Sequence, residues 1–373
     1  MSNTLNVVGG ILFEPGHENH LRQTDFFIEN GIIKSFSKVN GIETVDVNGA
    51  FVSAGWIDSH VHCFPGESMI SIHPDKIGVI KGVTTVIDAG TSGANTVDIF
   101  QKEIIDKSHT KVKILLNVSS DGLITLNELA NKDAISYEKI TSVLKRNKNI
   151  VGLKARISSS VLGDMGIEQL ILAKEVSEKC QLPLVVHIGN APPEISDVLD
   201  VLGKDDVITH MYHSKVNGLF EKDGTPKGAT KRAIERGVKF DVGHGMASFS
   251  FHVAKRAIEN GVKPDTISTD IYEKNIVTPV GSLGITMNKL IAAGLSLEEV
   301  IQCVTSHVSD LYDLEDRGRI QTGLRGDLTI FNVSEEATIG IDSDGSKINL
   351  EKNVKPTMTC IGGKLYSIEN GVV

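Results

Sequence analysis

The feature of this sequence that most restricts its fold is a repeated alternation of short apolar segments with amphipathic stretches, which starts at Phe51 and continues past Ala293. The apolar segments predict β-strands at residues 51–58, 83–89, 112–118, 150–157, 182–188, 207–211, 239–242 and 266–269. Nearly continuous apolar strands are what a parallel sheet covered on both faces requires. About eight such strands, over a span close to the ~250 residues of a (β/α)8 TIM barrel, predict that α/β fold.

The stretches between the strands have the spacing of helices. Residues 167–180 place apolar side chains at intervals of three and four, which is typical of a helix with one buried face. Residues 230–236 and 253–260 are each followed by a glycine, a residue that often ends a helix. Further helices are predicted at 286–293, at 297–305 and near Leu311.

The two ends of the chain have a different pattern, in which short strands are separated by glycine turns. Asn30-Gly31 stands between apolar runs, which is a strong hairpin signal. The turn-and-strand pattern returns at Gly318. Neither end is long enough to bury a good core alone. We therefore expect residues 1–52 and 320–373 to form one small discontinuous β-sandwich, beside a hydrolase barrel of residues 53–319.

Ionisable side chains are concentrated where the predicted strands end, which is where such barrels carry their chemistry. His60 and His62 close the first strand, and both imidazoles point the same way because strand side chains alternate. The later strands add Lys154, His187, His210, His213, His244 and Asp270. Histidine is the commonest metal ligand near neutral pH, so this set predicts a metal centre.

This arrangement resembles the amidohydrolase superfamily, in which strand one carries His-x-His, strand four a lysine, strands five and six a histidine each, and strand eight an aspartate. The resemblance covers nearly the whole chain, including the tail segment Gly323-Leu-Arg-Gly-Asp-Leu328. It is closest to the amidohydrolase/deacetylase branch, which stands near the D-aminoacylases and is often labelled dihydroorotase or adenine deaminase. The segments that carry this closer likeness are Lys154-Ala-Arg156, His210-Met-Tyr-His213, Asp241-Val-Gly-His-Gly245 and Ile267-Ser-Thr-Asp270.

The resemblance implies two divalent metal ions as cofactors. Zn2+ is expected first, and Mn2+ and Fe2+ suit histidine and carboxylate ligands as well. One ion would be bound by His60, His62 and Asp270, and the other by His187 and His210. Lys154, carboxylated by CO2, would bridge the two ions. The alternative for Lys154 is an ordinary ammonium group paired with Asp270.

The resemblance also implies a reaction. A hydroxide bridging the two metals would attack an N-acyl (amide) or O-acyl (ester) bond of a small molecule that is expected to carry a carboxylate, with Asp270 as general base and then general acid. Cyclic-amide hydrolysis of the dihydroorotase kind and adenine-type deamination are the alternatives within the superfamily. Its deaminases usually use one metal and lack the strand-four lysine, so Lys154 favours hydrolysis. A non-catalytic scaffold is the remote alternative.

Four residues near the predicted mouth of the barrel are candidates for substrate binding. Arg156 follows Lys154 by two residues on the same side of its strand, so it could bind a substrate carboxylate or pair with a barrel carboxylate such as Asp88. His213 and His244 could orient the substrate or be satisfied within the core. The backbone at Gly284 could donate an amide hydrogen to the substrate.

Composition excludes several other classes of protein. A net charge of −9, without a run of Lys or Arg, argues against a nucleic-acid partner. No apolar segment is long enough to cross a bilayer, and no secretory signal pattern is present. The cysteines are widely scattered, as in a cytoplasmic protein with reduced thiols: Cys63, Cys180, Cys303 and Cys360. The expected partners are a small-molecule substrate and further copies of the same chain.

Overall fold

A computed structural model describes residues 3–368, and it confirms the predicted combination of a parallel barrel with a separate β-domain. The amino-terminal strands are β1 (Leu5–Leu12), β2 (Gln23–Glu29), β3 (Ile32–Ser35), β4 (Thr44–Asp46) and β5 (Phe51–Ala54). The barrel strands are β6 (Trp56–Val61), β7 (Val83–Ala89), β8 (Lys111–Asn117), β9 (Ile150–Ile157), β10 (Leu184–Ile188), β11 (Val207–Thr209) and β12 (Lys239–Asp241). The carboxyl-terminal strands are β13 (Leu328–Ser334), β14 (Thr338–Ile341), β15 (Lys347–Leu350), β16 (Asn353–Ile361) and β17 (Lys364–Ser367).

The helices occupy the stretches between the barrel strands. They are α1 (Pro74–Ile77), α2 (Val97–Glu103), α3 (Tyr137–Arg146), α4 (Ser159–Leu162), α5 (Glu168–Cys180), α6 (Ile195–Val201), α7 (Gly228–Glu235), α8 (Phe251–Glu259), α9 (Leu283–Ala292), α10 (Leu297–Gln302) and α11 (Ser306–Leu311). The six helices predicted from spacing are confirmed as α5, α7, α8, α9, α10 and α11. Within residues 3–368, none of these helices has the length and apolar character needed to span a membrane.

Seven parallel strands form the wall of the barrel, in the order β6 to β12. Every residue of β6 and of β7 is buried, including the Asp, Ser, His and Thr residues that stand among the apolar ones, as expected of strands in a parallel sheet covered on both faces. Because neighbouring parallel strands run in register, their carboxyl ends meet at one rim. His187 of β10, for example, lies opposite Arg156 of β9.

The predicted eighth strand, at residues 266–269, closes the barrel without forming a regular ladder. Single parallel bridges join Thr266 to Asp241 on one side and Ile271 to Val61 on the other. Asp270 lies between these bridges with a φ of 50°, in the left-handed region that few residues other than glycine adopt. This turn of the backbone interrupts the strand and directs Asp270 toward the rim.

The second domain is built on a sheet that both ends of the chain share. Its strand order is β17-β16-β13-β5-β1-β2-β3, with β4 also paired to β1, so the amino-terminal strands meet the carboxyl-terminal ones between β5 and β13. The predicted boundary after residue 52 falls inside β5, which continues into β6 through Gly55 alone. Residues 1–2 and 369–373 of the predicted domain lie outside the described residues, and its exact limits stay a prediction.

A separate two-stranded hairpin, β14 with β15, extends from this domain to the barrel rim. The hydroxyl of Ser343 at its turn donates to the backbone oxygen of Gly245 at 3.0 Å. The carboxylate of Asp342 accepts from the backbone N–H of Phe251 at 2.9 Å, where α8 begins. The hairpin therefore supports the loop that follows β12.

Candidate metal centre

All six residues predicted to bind metal lie at the carboxyl-terminal rim of the barrel. Five different segments of the barrel wall place them: His60 lies in β6 and His62 directly follows it, Lys154 lies in β9, His187 lies in β10, His210 directly follows β11, and Asp270 lies in the closing segment. One ligand atom each from His60, His210 and Asp270 lies within 4.8 Å of the other two. Two of these residues belong to one predicted ion and His210 to the other, so the two predicted ligand sets lie next to each other.

The remaining distances divide the cluster into two groups of neighbouring side chains. Oδ1 of Asp270 lies 3.2 Å from Nε2 of His62 and 3.5 Å from Nε2 of His60. Nζ of Lys154 lies 3.2 Å from Nε2 of His60. On the other side, Nε2 of His210 lies 2.8 Å from Nδ1 of His187. The structure thus brings the six predicted ligands together.

The hydrogen bonds behind the cluster determine which imidazole nitrogen faces it. The hydroxyl of Thr209 donates to Asp241 at 2.7 Å, so it accepts from Nδ1 of His60, 2.9 Å away. Nδ1 of His210 lies 2.7 Å from the carbonyl oxygen of Gly243, which can only accept. In both rings Nδ1 carries the hydrogen, and Nε2 directs an unprotonated lone pair into the cluster, as a metal ligand requires.

Burial gives the cluster the protonation states of a metal site. It lowers the pKa of His60 to about 4 and the pKa values of His187 and His210 well below the usual histidine range. These imidazoles are therefore neutral near pH 7. Burial opposes ionisation of Asp270, but the surrounding imidazoles outweigh it and hold the Asp270 pKa well below its ordinary value. Neutral imidazoles with an ionised carboxylate form a donor set that fits divalent ions.

Two of the predicted ligands have a strained backbone. His210 has a φ of 72° and Asp270 a φ of 50°, both in the left-handed region. Non-glycine residues in this region cost free energy and persist where the surrounding structure holds them. The backbone N–H of Asp270 donates to the oxygen of His60 at 2.7 Å, which holds the turn in place.

Asp241, at the end of β12, is a supporting residue to which the sequence assigned no role. It is 3% exposed and accepts hydrogen bonds from the hydroxyls of Thr209, Ser268 and Thr266 at 2.6–2.7 Å. Through Thr209 it fixes the ring of His60. The sequence did contain a signal for this role, because Asp241, like Asp270, is a carboxylate at the end of a predicted strand.

The predicted substrate contacts fall in three different environments. Arg156 stands at the rim, with Nε 3.6 Å from Oε1 of Glu128. Its carboxylate neighbour is therefore Glu128, in the loop after β8, and not Asp88, which accepts from the backbone N–H groups of Cys63 and Thr91.

His213 and His244 are both buried close to the cluster but outside it. Nδ1 of His213 accepts from the backbone N–H of Lys215 at 3.1 Å, and its Nε2 has no hydrogen-bond partner among residues 3–368. The ring of His244 stacks on Phe249, and its Nε2 lies 2.9 Å from Nζ of Lys289. Burial lowers the pKa of Lys289 to about 7. Whether either histidine contacts substrate stays a prediction.

Gly284 is not brought to the rim. It lies in α9, where a side chain would contact Trp56 and Pro356. Trp56 begins the strand that His60 and His62 close, so Gly284 faces the opposite end of the barrel. The sequence predicts a backbone amide offered to the substrate at this glycine, and the structure places the residue inside α9.

Comparisons with known proteins agree with this geometry. The model of the amidohydrolase family matches residues 51–366. A deacetylase of Enterococcus faecalis is 40% identical over 87% of this chain and 89% of its own length, and a deacetylase of Brucella anthropi is 35% identical over 90% of this chain and 84% of its own length.

The crystal structure of an adenine deaminase superposes with a TM-score of 0.92 at 37% identity, covering 97% of this chain and 99% of the other. That of a dihydroorotase also gives 0.92, at 31% identity and 98% coverage of both chains. The chain belongs to the amidohydrolase family, as its residues predicted, and is a metal-dependent hydrolase acting on carbon–nitrogen bonds.

Proposed function

We propose that this protein is a binuclear hydrolase that cleaves the acyl bond of a small N-acyl or O-acyl compound carrying a carboxylate. The observation that carries the proposal is the cluster of four imidazoles, one aspartate and one lysine at the barrel rim, in which His60, His62, Lys154 and His210 are buried. The relatives named deacetylase, at 35–40% identity, support acyl removal as the reaction.

Two metal ions would be held by the residues of this cluster, His60, His62 and Asp270 on one side and His187 and His210 on the other. When bound, such ions polarise a substrate carbonyl and lower the pKa of water. The inner part of the cluster is shielded from bulk water, since Lys154 is 1% exposed and His210 is fully buried, while the side chain of Asp270 is 16% exposed.

Lys154 would bridge the two halves of the cluster as a carbamate. An ammonium group is unfavourable at this position because it is buried, and burial lowers the Lys154 pKa to about 8. The neutral amine can attack CO2, forming an N–C bond and releasing one proton. The product is an anion with two oxygens. Its negative charge adds to that of the one aspartate, which alone would leave the charge of two divalent cations largely uncompensated.

Asp270 would move the proton of the reaction. Its Oδ1 lies between His60 and His62, and its low pKa keeps it ionised before attack. In the proposed reaction it accepts the proton of the attacking water and returns it to the leaving nitrogen or oxygen.

Cyclic-amide hydrolysis is the second candidate, because the dihydroorotase structure covers 98% of this chain at 31% identity. Adenine deamination is the third, supported by the adenine deaminase structure. The buried Lys154 favours hydrolysis over deamination, since a bridge between two ions has no use at a one-metal centre.

A substrate screen with and without chelator tests the proposal. The panel is N-acetyl-D- and L-amino acids, O-acetyl hydroxy acids, hydantoins, dihydroorotate and adenine. We expect turnover of an acyl compound that a chelator abolishes and that Zn2+ or Mn2+ restores at about two ions per chain. Full activity of protein shown by mass spectrometry to lack metal would contradict the proposal, as would turnover of adenine alone. A chain that binds no metal would instead be a scaffold.

A further inference from the structure

A second cavity lies on the flank of the barrel, outside the metal centre. It has a volume of about 700 Å³ and is enclosed by the loop that follows β11, the first turns of α8 and the turn of the β14–β15 hairpin. None of the six predicted metal ligands is among the residues that line it. The cavity is therefore separate from the cluster on which the proposed hydrolysis depends.

A buried histidine offers a hydrogen-bond donor at this cavity. His213 lines the cavity and is 3% exposed. Burial, together with the charges of Lys215 and Lys227, lowers the His213 pKa to about 4, although Asp344 opposes the shift, so the ring is neutral near pH 7. Its Nδ1 accepts from the backbone N–H of Lys215 at 3.1 Å, which places the ring hydrogen on Nε2.

The hydrogen on Nε2 of His213 has no acceptor among residues 3–368. A buried donor without an acceptor is unfavourable, and most such groups in folded proteins are satisfied by a partner. The charged groups that act on this ring belong to Lys215, Lys227 and Asp344, which all line the cavity. An acceptor bound in the cavity would therefore complete the hydrogen bonding of His213.

Positive charge predominates around this donor. The cavity is lined by two carboxylates, those of Glu221 and Asp344, and by four cationic side chains: Lys215, Lys222, Lys227 and Arg256. Burial lowers the pKa of Lys215, because its ammonium group is partly withdrawn from water. The excess of cations over carboxylates favours a ligand that carries negative charge.

The cations remain available to such a ligand. Nζ of Lys227 and Nη1 of Arg256 donate to backbone oxygens of the loop after β11, at 3.4 Å and 3.2 Å. In the part of the chain that the structure describes, no salt bridge joins any of the four cations to a carboxylate. Arg256 contributes to the lowered pKa of Asp223, but hydrogen bonds from Thr225 are the main cause.

One side of the cavity is apolar. Leu219 is 1% exposed, and Phe220 and Val253 line the cavity with it. Apolar walls combined with a few polar groups are typical of sites for small organic molecules. A ligand with an anionic group and a hydrocarbon part would be complementary to both sides of the cavity.

We propose that this cavity binds a small organic carboxylate. Its oxygens accept from the Nε2–H of His213 and from the ammonium group of Lys227, and its hydrocarbon part contacts Phe220 and Val253. The proposal goes beyond the hydrolase reaction and does not depend on it, because the test is binding and needs no turnover. On this assignment, His213 belongs to the second site and not to the substrate site of the metal centre.

Calorimetry on the metal-loaded protein tests the proposal with three probes of different chemistry. Hexanoate has both features of the proposed ligand, hexanamide has the same hydrocarbon part without the charge, and inorganic phosphate has the charge alone. We expect hexanoate to bind with a Kd at least ~10-fold lower than that of hexanamide, since hydrogen bonds to charged groups are the stronger ones. Phosphate should bind more weakly than hexanoate. Phosphate binding tighter than hexanoate would overturn the carboxylate assignment, and so would equal binding of hexanoate and hexanamide.

Matched variants locate the bound hexanoate. Lys227→Met should raise its Kd at least ~5-fold, the effect of about one net hydrogen bond, and His213→Phe should do the same. Lys231→Met removes an exposed cation from α7, outside the cavity lining, and should leave the Kd within a factor of two of the wild type. Melting curves and metal analysis establish that each variant is folded and loaded, and Lys227→Met provides the test if His213→Phe does not fold.

A Kd that is unchanged in Lys227→Met would place hexanoate elsewhere, for example at the metal centre, and would overturn the proposal. Absence of saturable hexanoate binding to the wild-type protein would overturn it as well. A crystal structure with hexanoate should show a carboxylate oxygen within hydrogen-bonding distance of Nε2 of His213. Either result is independent of whether the protein hydrolyses acyl compounds, so failure of this site and failure of the proposed function are distinguishable.

Discussion

The two ends of strand β6 differ in almost every physical respect. At its start, Trp56 is fully buried against Phe331, with ring centroids 5.7 Å apart, and its indole N–H donates to Ser53 at 3.1 Å. At its far end, His60 and His62 share the carboxylate of Asp270. Within six residues the strand passes from an apolar junction between two domains to a cluster of ionisable groups.

The difference shows how one strand can serve both stability and chemistry. The rim gathers buried polar groups and two ligands with a left-handed backbone, and each of these features costs free energy of folding. The opposite end buries aromatic surface, which is among the most stabilising contributions in a core. A barrel keeps the two apart by the length of its strands, so changes at one end are expected to leave the other nearly intact.

Among changes at the rim end of the barrel, removal of the Lys154 side chain should reduce activity most. Lys154→Ala should lose metal and turnover together, because it removes the proposed bridging ligand. Formate or acetate should restore part of both by supplying carboxylate oxygens. Metal analysis and kcat with and without these anions measure the effect, and the exposed Lys231→Ala is the control.

In a crystal structure, the carbamate oxygens should lie ~2.0–2.2 Å from zinc ions. An unmodified lysine amine in a fully metallated structure would refute the bridge.

Asp270→Asn should have the next largest effect on turnover. The amide cannot accept the proton of the attacking water, so kcat should fall at least ~10²-fold, with a much smaller change in KM. Steady-state kinetics with bound metal quantified in the same sample measure this, beside the exposed Asp133→Asn. Turnover near the wild-type rate, with metal retained, would exclude Asp270 from the proton transfer.

Trp56→Ala should act in the opposite way, on stability and not on chemistry. Truncating a fully buried tryptophan costs ~3–5 kcal/mol of unfolding free energy. Denaturant unfolding should show this loss, and Trp56→Phe should recover part of it. Molecules that remain folded should keep the wild-type kcat and metal content. A loss of kcat as large as that of Asp270→Asn, in folded protein, would show that the two ends are coupled.

The sequence predicted the parts of this molecule that follow from local pattern. Seven of the eight predicted barrel strands and the six predicted helices are confirmed, because apolar spacing reflects burial, whereas residues 266–269 form only isolated bridges. The six predicted ligands lie near one another because strand ends meet at one rim, and their binding of metal stays a prediction. The role of Asp241 and the Glu128–Arg156 pair were not predicted, since both depend on loops and hydroxyl contacts distant in sequence. The position of Gly284 in α9 depends on packing near Trp56 and Pro356, which the sequence does not show, and its substrate contact stays a prediction. The expected homo-oligomer and cytoplasmic location stay predictions.

The smallest predicted effect concerns a carboxylate at the apolar end. Glu14 lines a cavity of about 220 Å³ together with Ala54, and its Oε2 accepts from the backbone N–H of Ile320 at 2.6 Å. Burial raises the Glu14 pKa to about 7, although the Ile320 N–H and Arg319 oppose the rise. A carboxyl group with a raised pKa in the folded state holds its proton while the unfolded chain has already lost it. Its contribution to stability is complete below about pH 4.5 and is lost as the pH rises toward 7.

Glu14→Gln should remove this pH dependence, because the amide keeps the acceptor oxygen and cannot ionise. Between pH 5 and pH 8 the wild-type protein should lose more thermal stability than the variant, so that Glu14→Gln melts about 1–2 °C higher at pH 8 and almost equally at pH 5. Melting curves at both pH values measure the difference, with the exposed Glu18→Gln from the same loop as control. The dependence of kcat on pH should be the same in both proteins, because it is determined by residues at the rim. A variant that melts lower than the wild type at pH 8 would mean that the ionised Glu14 carboxylate stabilises the junction. The apolar end of the barrel would then accommodate a charged group as well as the rim does.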